Sequence, residues 1–139
     1  MVDLYMLDTN TVSYIIKGQP AVVRQHLLSV PMAKVCISSI TEAELLHGVA
    51  KKPEATRLPM VVREFLLRVD ILPWDSDVAE VYARLRADCE NDGKPLHAMN
   101  MLIAAHSVAV GAALITSDRA FYNVEQYLTL LDWTTPFNH

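Results

Sequence analysis

The stretch Val2-Asp3-Leu4-Tyr5-Met6-Leu7-Asp8-Thr9-Asn10 decides the fold. Residues 2–7 are short and mostly apolar, and the run stops at three polar residues, which predicts a buried strand ending in a polar turn. Thr9 or Asn10 has the chemistry of a helix N-cap, for a helix to about Lys17 before Gly18-Gln19-Pro20 breaks it. A buried strand that feeds directly into a helix is the opening of an α/β protein.

The same alternation continues outward. Pro20 opens a helix to about Leu28, and residues 34–38 predict a second strand. Ser39 with Glu42 has capping-box spacing for a helix to about Lys51. Pro53 restarts a helical run in which Leu58, Val61, Val62, Phe65, Leu66 and Val69 recur with a period near 3.6. Residues 70–74 predict a third strand, and Asp75 or Ser76 caps a long helix to about Asn91. After Asn91-Asp92-Gly93-Lys94-Pro95 a further helix runs to about Val110, then a fourth strand at 112–116, a polar turn, and an edge strand at 127–132. The expectation is a single domain over residues 1–139, a three-layer α/β/α sandwich around a mainly parallel sheet of four to five strands.

Composition narrows the function classes. The chain has 139 residues, 52% hydrophobic and 20% charged, with 4 Gly and 7 Pro, which excludes a disordered or fibrous protein. His106, Ser107 and Gly111 interrupt its longest apolar runs, below the roughly 18 residues of a membrane span. The net charge of −4 excludes a general polyanion binder, so a nucleic-acid substrate has to meet a local basic rim or a bound cation. Residues 1–10 carry Asp3 and Asp8 and no basic residue, unlike a signal peptide, so the cytoplasm is the expected compartment. Cys36 and Cys89 lie outside any CxxC spacing and read as reduced, with Cys36 in a buried apolar run.

The carboxylates fall where such sheets place ligands. Asp8 follows the first strand and Asp118 the fourth, and ligand sites form beyond the carboxyl ends of parallel strands. With the acidic helix start Thr41-Glu42-Ala43-Glu44 they predict a convergent acidic pocket, whose repulsion a divalent cation relieves. All-oxygen donors suit Mg²⁺ or Mn²⁺ rather than zinc. Glu42 and Glu44 point about 200° apart on a helix, so only one faces the pocket, and periodicity does not choose between them. A haloacid-dehalogenase-type phosphatase needs a second Asp where Asn10 stands, and a receiver domain needs a lysine beyond Lys94. No P-loop, GxGxxG or GxSxG is present.

Met6-Leu7-Asp8-Thr9-Asn10, Ser38-Ser39-Ile40-Thr41-x-x-Glu44-Leu45-x-x-Gly48, Gly93-Lys94-Pro95, Ile103-Ala104-Ala105-His106, Leu114-Ile115-Thr116-Ser117-Asp118 and Leu131-Asp132-Trp133 together resemble a PIN domain. The short chain resembles the VapC-type toxin ribonucleases within that family, and the motifs run in family order from residue 6 to residue 133. The resemblance implies a metal-dependent endoribonuclease that hydrolyses RNA in line and leaves a 5′-phosphate and a 3′-hydroxyl. It selects Glu44 over Glu42 and implies metal ligands at Asp8, Glu44, position 100 and Asp118, with Thr116 assisting and Asn10 orienting Asp8. It also implies a cognate VapB-type antitoxin, whose tail would lie along the apolar faces of 11–17 and 53–68, a homodimer, and DNA contact only through the antitoxin. tRNA, including initiator tRNA, is a substrate that some relatives imply.

One position departs from the pattern. Where the family has Asp in D-x-x-I-A, this chain has Asn100, either by divergence or by an inactivating Asp→Asn substitution, and the retention of every other motif favours the second. The expectation is weakened cation binding and impaired cleavage. The rival reading is a catalytically inactive PIN module that binds antitoxin or RNA without cutting. Outside the motifs, Arg84 and Arg86 read as a solvated helix face before phosphate contacts, as does Arg119. Lys51-Lys52 reads as the complement of a helix dipole, and His106, Trp74 and Trp133 read as packing residues.

Overall fold

The computed structural model describes residues 2–136. Its strands are β1 (Tyr5–Leu7), β2 (Val35–Ser38), β3 (Asp70–Leu72), β4 (Ala113–Ile115) and β5 (Leu130–Leu131). The helices are α1 (Thr9–Lys17), α2 (Ala21–Leu28), α3 (Ser39–Ala50), α4 (Arg57–Arg68), α5 (Ser76–Asn91), α6 (Ala98–Ala109) and α7 (Arg119–Tyr122). The five strands form one parallel sheet in the order β3-β2-β1-β4-β5. The chain winds outward from β1 in one direction and then the other, so the crevice beyond β1 and β4 is the topological switch point.

Alternation across the strands builds two cores. Met6, Cys36 and Leu114 stand side by side in register on one face, and α5 and α6 cover them through Leu85, Cys89, Met101 and Ala105. Leu7, Ile37 and Ile115 face the other way and pack with Val12, Ile15, Val23 and Val62 of α1, α2 and α4. Burial on both faces explains why the strands read as short, almost unbroken apolar runs. Each fully buried aliphatic side chain of this kind contributes roughly 1.5–3 kcal/mol.

Several helix starts differ from the spacing. Asp8, not Thr9 or Asn10, caps α1, and its carboxylate accepts from the Thr11 N–H at 2.8 Å. Ser38 caps α3 in place of Ser39, because β2 runs straight into the helix and the Ser39 hydroxyl accepts from Trp74 N–H instead. Helix α4 starts at Arg57 rather than Pro53, leaving Pro53 and Glu54 in a turn closed by the Ala55 N–H on the Lys52 carbonyl. Asp75 caps α5 as expected, and α7 occupies part of what reads as a polar turn. Cys36 and Cys89 are buried and free, and burial pushes the Cys36 thiol up to about 11, far from reactive. Among the described residues no helix is long and apolar enough to cross a membrane.

Candidate active site

The crevice beyond β1 and β4 holds a small pocket of about 110 Å³ lined by Asp8, Thr9, Asn10, Glu44, Asn100, Ile103 and Asp118. Four chain segments converge there. Asp8 sits at the β1–α1 junction, Glu44 in the second turn of α3, Asn100 in the first turn of α6, and Asp118 at the start of α7 beyond β4. All four residues expected at the centre of the site therefore share one cavity.

Each acid is held by local backbone logic. Asp8 is 4% exposed, because the β1–α1 turn must tuck under β4, where its own N–H donates to the Ile115 carbonyl at 3.1 Å. The Thr11 hydroxyl donates to the same carbonyl and so ties α1 to β4. Asp118 caps α7 through Oδ1, which accepts from Ala120 N–H at 2.9 Å. Its N–H donates to the Thr116 hydroxyl at 3.0 Å. The Asn100 amide then donates to Asp118 Oδ2 at 3.3 Å. Glu44 is pulled to one wall by the Thr9 hydroxyl, which donates to Oε1 at 2.5 Å.

Burial dominates the electrostatics. It raises the Asp8 carboxyl above the usual range, against the lowering by the Thr11 and Thr116 hydroxyls and the Thr11 N–H, and the Asp118 charge adds to the rise. A buried carboxylate with a second acid facing it is where a cation gains most. The donors are all oxygens, three carboxylates and one amide, which suits a hard divalent ion. Among the described residues no three His, Cys, Asp or Glu side chains form a ready-made cation cluster. Thr9 draws Glu44 aside, and position 100 brings an amide in place of a third charge beside Asp118.

Other expected residues sort differently. Glu42 does not line the pocket and Glu44 does. Thr116 is fully buried and joins Asp118 to Asp8. Asn10 is exposed at the rim, and the groups that orient Asp8 are Thr11 and Thr116 instead. Arg84 and Arg86 lie on the exposed side of α5, where Arg86 pairs with Glu90 and Tyr82. Arg119 stacks over the Tyr122 ring at 4.6 Å. His106 is wholly buried and Trp133 nearly so, while Trp74 donates to the Leu102 carbonyl, all in packing roles. Sequence reasoning missed Thr9 as the partner of Glu44, Thr11 as a holder of Asp8, and Tyr122, whose hydroxyl donates to the Thr116 carbonyl. Nothing short of the packing of α1 on α3 signals the first.

A family model described as PIN domain matches residues 5–127. A Shigella flexneri protein named tRNA(fMet)-specific endonuclease VapC is 32% identical over 130 residues, covering 94% of this chain and 98% of that protein. Ribonuclease VapC2 of Haemophilus influenzae is 34% identical over 114 residues, covering 82% and 86%. Among solved structures, VapBC2 from Rickettsia felis bound to a DNA fragment from their promoter superposes with a TM-score of 0.84 at 30% identity, covering 94% of this chain and 98% of that one.

Proposed function

The chain belongs to the PIN domain family, and from that premise we propose that it is the toxin of a VapBC-type toxin–antitoxin pair, an endoribonuclease that hydrolyses RNA phosphodiester bonds with Mg²⁺ or Mn²⁺. The observation that carries this reading is the convergence of Asp8, Glu44, Asn100 and Asp118 on one pocket at the switch point of the sheet. Relatives named for tRNA(fMet) cleavage support tRNA as the substrate class.

In this reading Asp8, Glu44, Asn100 and Asp118 would hold the ion, which when bound would stabilise charge on the scissile phosphate. The protein's own work is positioning. The backbone N–H of Ala120 and the Asn100 amide fix both oxygens of Asp118, and Thr116 couples that carboxylate to Asp8. Asp8 is held at the pocket wall by the Thr11 N–H, which donates to its carboxylate at 2.8 Å. Asn100 cannot carry a negative charge, so the chain binds the ion weakly and cuts slowly.

The antitoxin has a suitable seat. A groove between α1, α2 and α4 is lined by Ile15, Ile16, Met60, Phe65 and Arg68, and it continues beside Leu28 and Met32. Leu28 and Met60 are 85% and 71% exposed there, an apolar surface that suits an amphipathic tail. The assembly in this reading is a homodimer with a VapB-type antitoxin in the cytoplasm, reaching DNA through the antitoxin. A second reading, a PIN module that binds without cutting, is favoured by one contact: the Asn100 amide donates to Asp118 Oδ2, engaging an oxygen that a cation would use.

The test is cleavage of total tRNA with Mg²⁺ or Mn²⁺ by this chain and its Asn100→Asp variant, with melting curves alongside. The variant should cut, lose activity in EDTA, and gain more thermal stability from the cation than the parent. If neither protein cuts with any divalent metal, the binding-module reading takes its place.

A further inference from the structure

The acidic pocket shares a wall with a second cleft of about 260 Å³, since Thr9 and Glu44 line both. The second cleft runs between α1, α3 and α4, and Lys17, Lys51 and Lys52 line it. Lys51-Lys52 reads in the sequence as the complement of a helix dipole and Lys17 ends α1, and the fold brings the ends of α1 and α3 together. Their two partial charges of about −0.5 and the Glu44 carboxylate are still outweighed by three ammonium groups. Among the described residues none of these lysines is ion-paired with a carboxylate.

An independent observation concerns the floor of this cleft. Gly48 lies within α3, its φ is not positive, and a Cβ built on it meets nothing within 4 Å. Neither backbone geometry nor the chain's own packing calls for glycine there, and glycine is a poorer helix former than alanine. The bare backbone of Gly48 leaves open space beside the lysines and the apolar side chains of Ile16, Leu45, Leu58 and Val62, so that a bound strand can approach α3 closely.

We propose that this lysine-lined cleft is the track for the RNA strand, seating the phosphates next to the one held in the acidic pocket. The inference rests on the ribonuclease reading and adds where the strand runs. It also explains how a chain with net charge −4 grips RNA: attraction is confined to one channel that ends at the acids.

The test is fluorescence anisotropy of a labelled single-stranded oligouridine and of a tRNA transcript with the full chain, in Mg²⁺ and over a salt series. Replacing Lys17→Gln, Lys51→Gln and Lys52→Gln together should weaken binding at least about ten-fold and lower the salt slope by about 2, at roughly 0.7 per lost phosphate contact. The equal charge change Arg63→Gln, Arg84→Gln and Arg86→Gln should leave both unchanged. Gly48→Ala should raise the melting temperature yet weaken RNA binding, and Gly48→Leu should weaken it further. If the parent binds RNA and the lysine and Gly48 variants bind equally well, the track is overturned and the ribonuclease reading stands. If the parent binds neither RNA, the track falls, and the ribonuclease reading is decided by the cleavage test on the Asn100→Asp variant.

Discussion

The neighbouring strands β1 and β2 both end in buried polar side chains, and the two ends meet opposite fates. Beyond β1, Asp8 is 4% exposed yet borders a cavity of about 110 Å³ with Asp118 across it. Beyond β2, Ser38 and His106 are wholly buried and close on each other, with Oγ 2.7 Å from Nδ1. Burial displaces both titratable groups toward their neutral forms, raising Asp8 and lowering His106. The companions differ. Asp118 pushes Asp8 further in the same direction, whereas Asp75 pulls His106 back. A perturbed titration therefore does not mark a site by itself; an open cavity and a second like charge do. Helix α6 spans both environments, delivering Asn100 to the cavity from its first turn and His106 to the core from its last.

The comparison breaks most sharply if Asp8 is only a cap. Asparagine caps as well as aspartate, so Asp8→Asn should keep α1 intact. In the Asn100→Asp background it should lower tRNA cleavage by more than about a hundred-fold, since outer partners of metal ligands alone are worth about 10–100-fold. The same substitution should raise the melting temperature at pH 7 by removing a desolvated charge. Cleavage that survives it would make Asp8 structural, like Ser38.

Much of this contrast is legible in the sequence, and the losses have causes. Asp8 and Asp118 announce themselves because a short apolar run followed by an acid means a strand end in a parallel sheet. His106 reads as core because it sits in the apolar face of α6. The capping-box spacing of Ser39 and Glu42 misplaces the start of α3 by one residue, because β2 leaves no loop before the helix and Trp74 claims the Ser39 hydroxyl. Periodicity does not separate Glu44 from Glu42, because the face of α3 that meets the pocket is set by how α3 packs on its neighbours. The lysine cleft was hidden for the same reason: Lys17 and Lys51-Lys52 meet only when α1 packs on α3.

The β2 end can be sharpened by Ser38→Ala, which removes the cap of α3 and the one partner of His106 Nδ1. Leaving Ile40 N–H and the imidazole unpaired should cost about 1–3 kcal/mol in urea unfolding. Cleavage per folded molecule should not change. Combined with His106→Ala, the losses should be non-additive by about 0.5–3 kcal/mol, the signature of a direct contact. Additive losses would mean that the two side chains do not sense each other.

The smallest effect is the pH dependence of stability, where the two ends should slope in opposite directions. His106 is held below its usual value by burial, so on acidification the unfolded chain takes up a proton first, from about pH 6.5. Its contribution is complete above that pH and is lost as pH falls toward the folded value, at about 1.4 kcal/mol per pH unit at most. Asp8 behaves inversely. Its raised folded value means that its contribution is full below 3.8 and is lost as pH rises through the folded value. Urea midpoints between pH 7.5 and pH 3.5 separate the two. His106→Gln should flatten the fall in stability that begins near pH 6.5, and Asp8→Asn should leave that fall in place while removing the gain at lower pH. Burial is why the first slope exists: among the described residues Nε2 meets no hydrogen-bond partner, and the Asp75 charge only partly offsets the desolvation of a proton there. A His106→Gln protein with the parent's slope would mean that water reaches the imidazole, and the β2 end would then be as open as the pocket beside it.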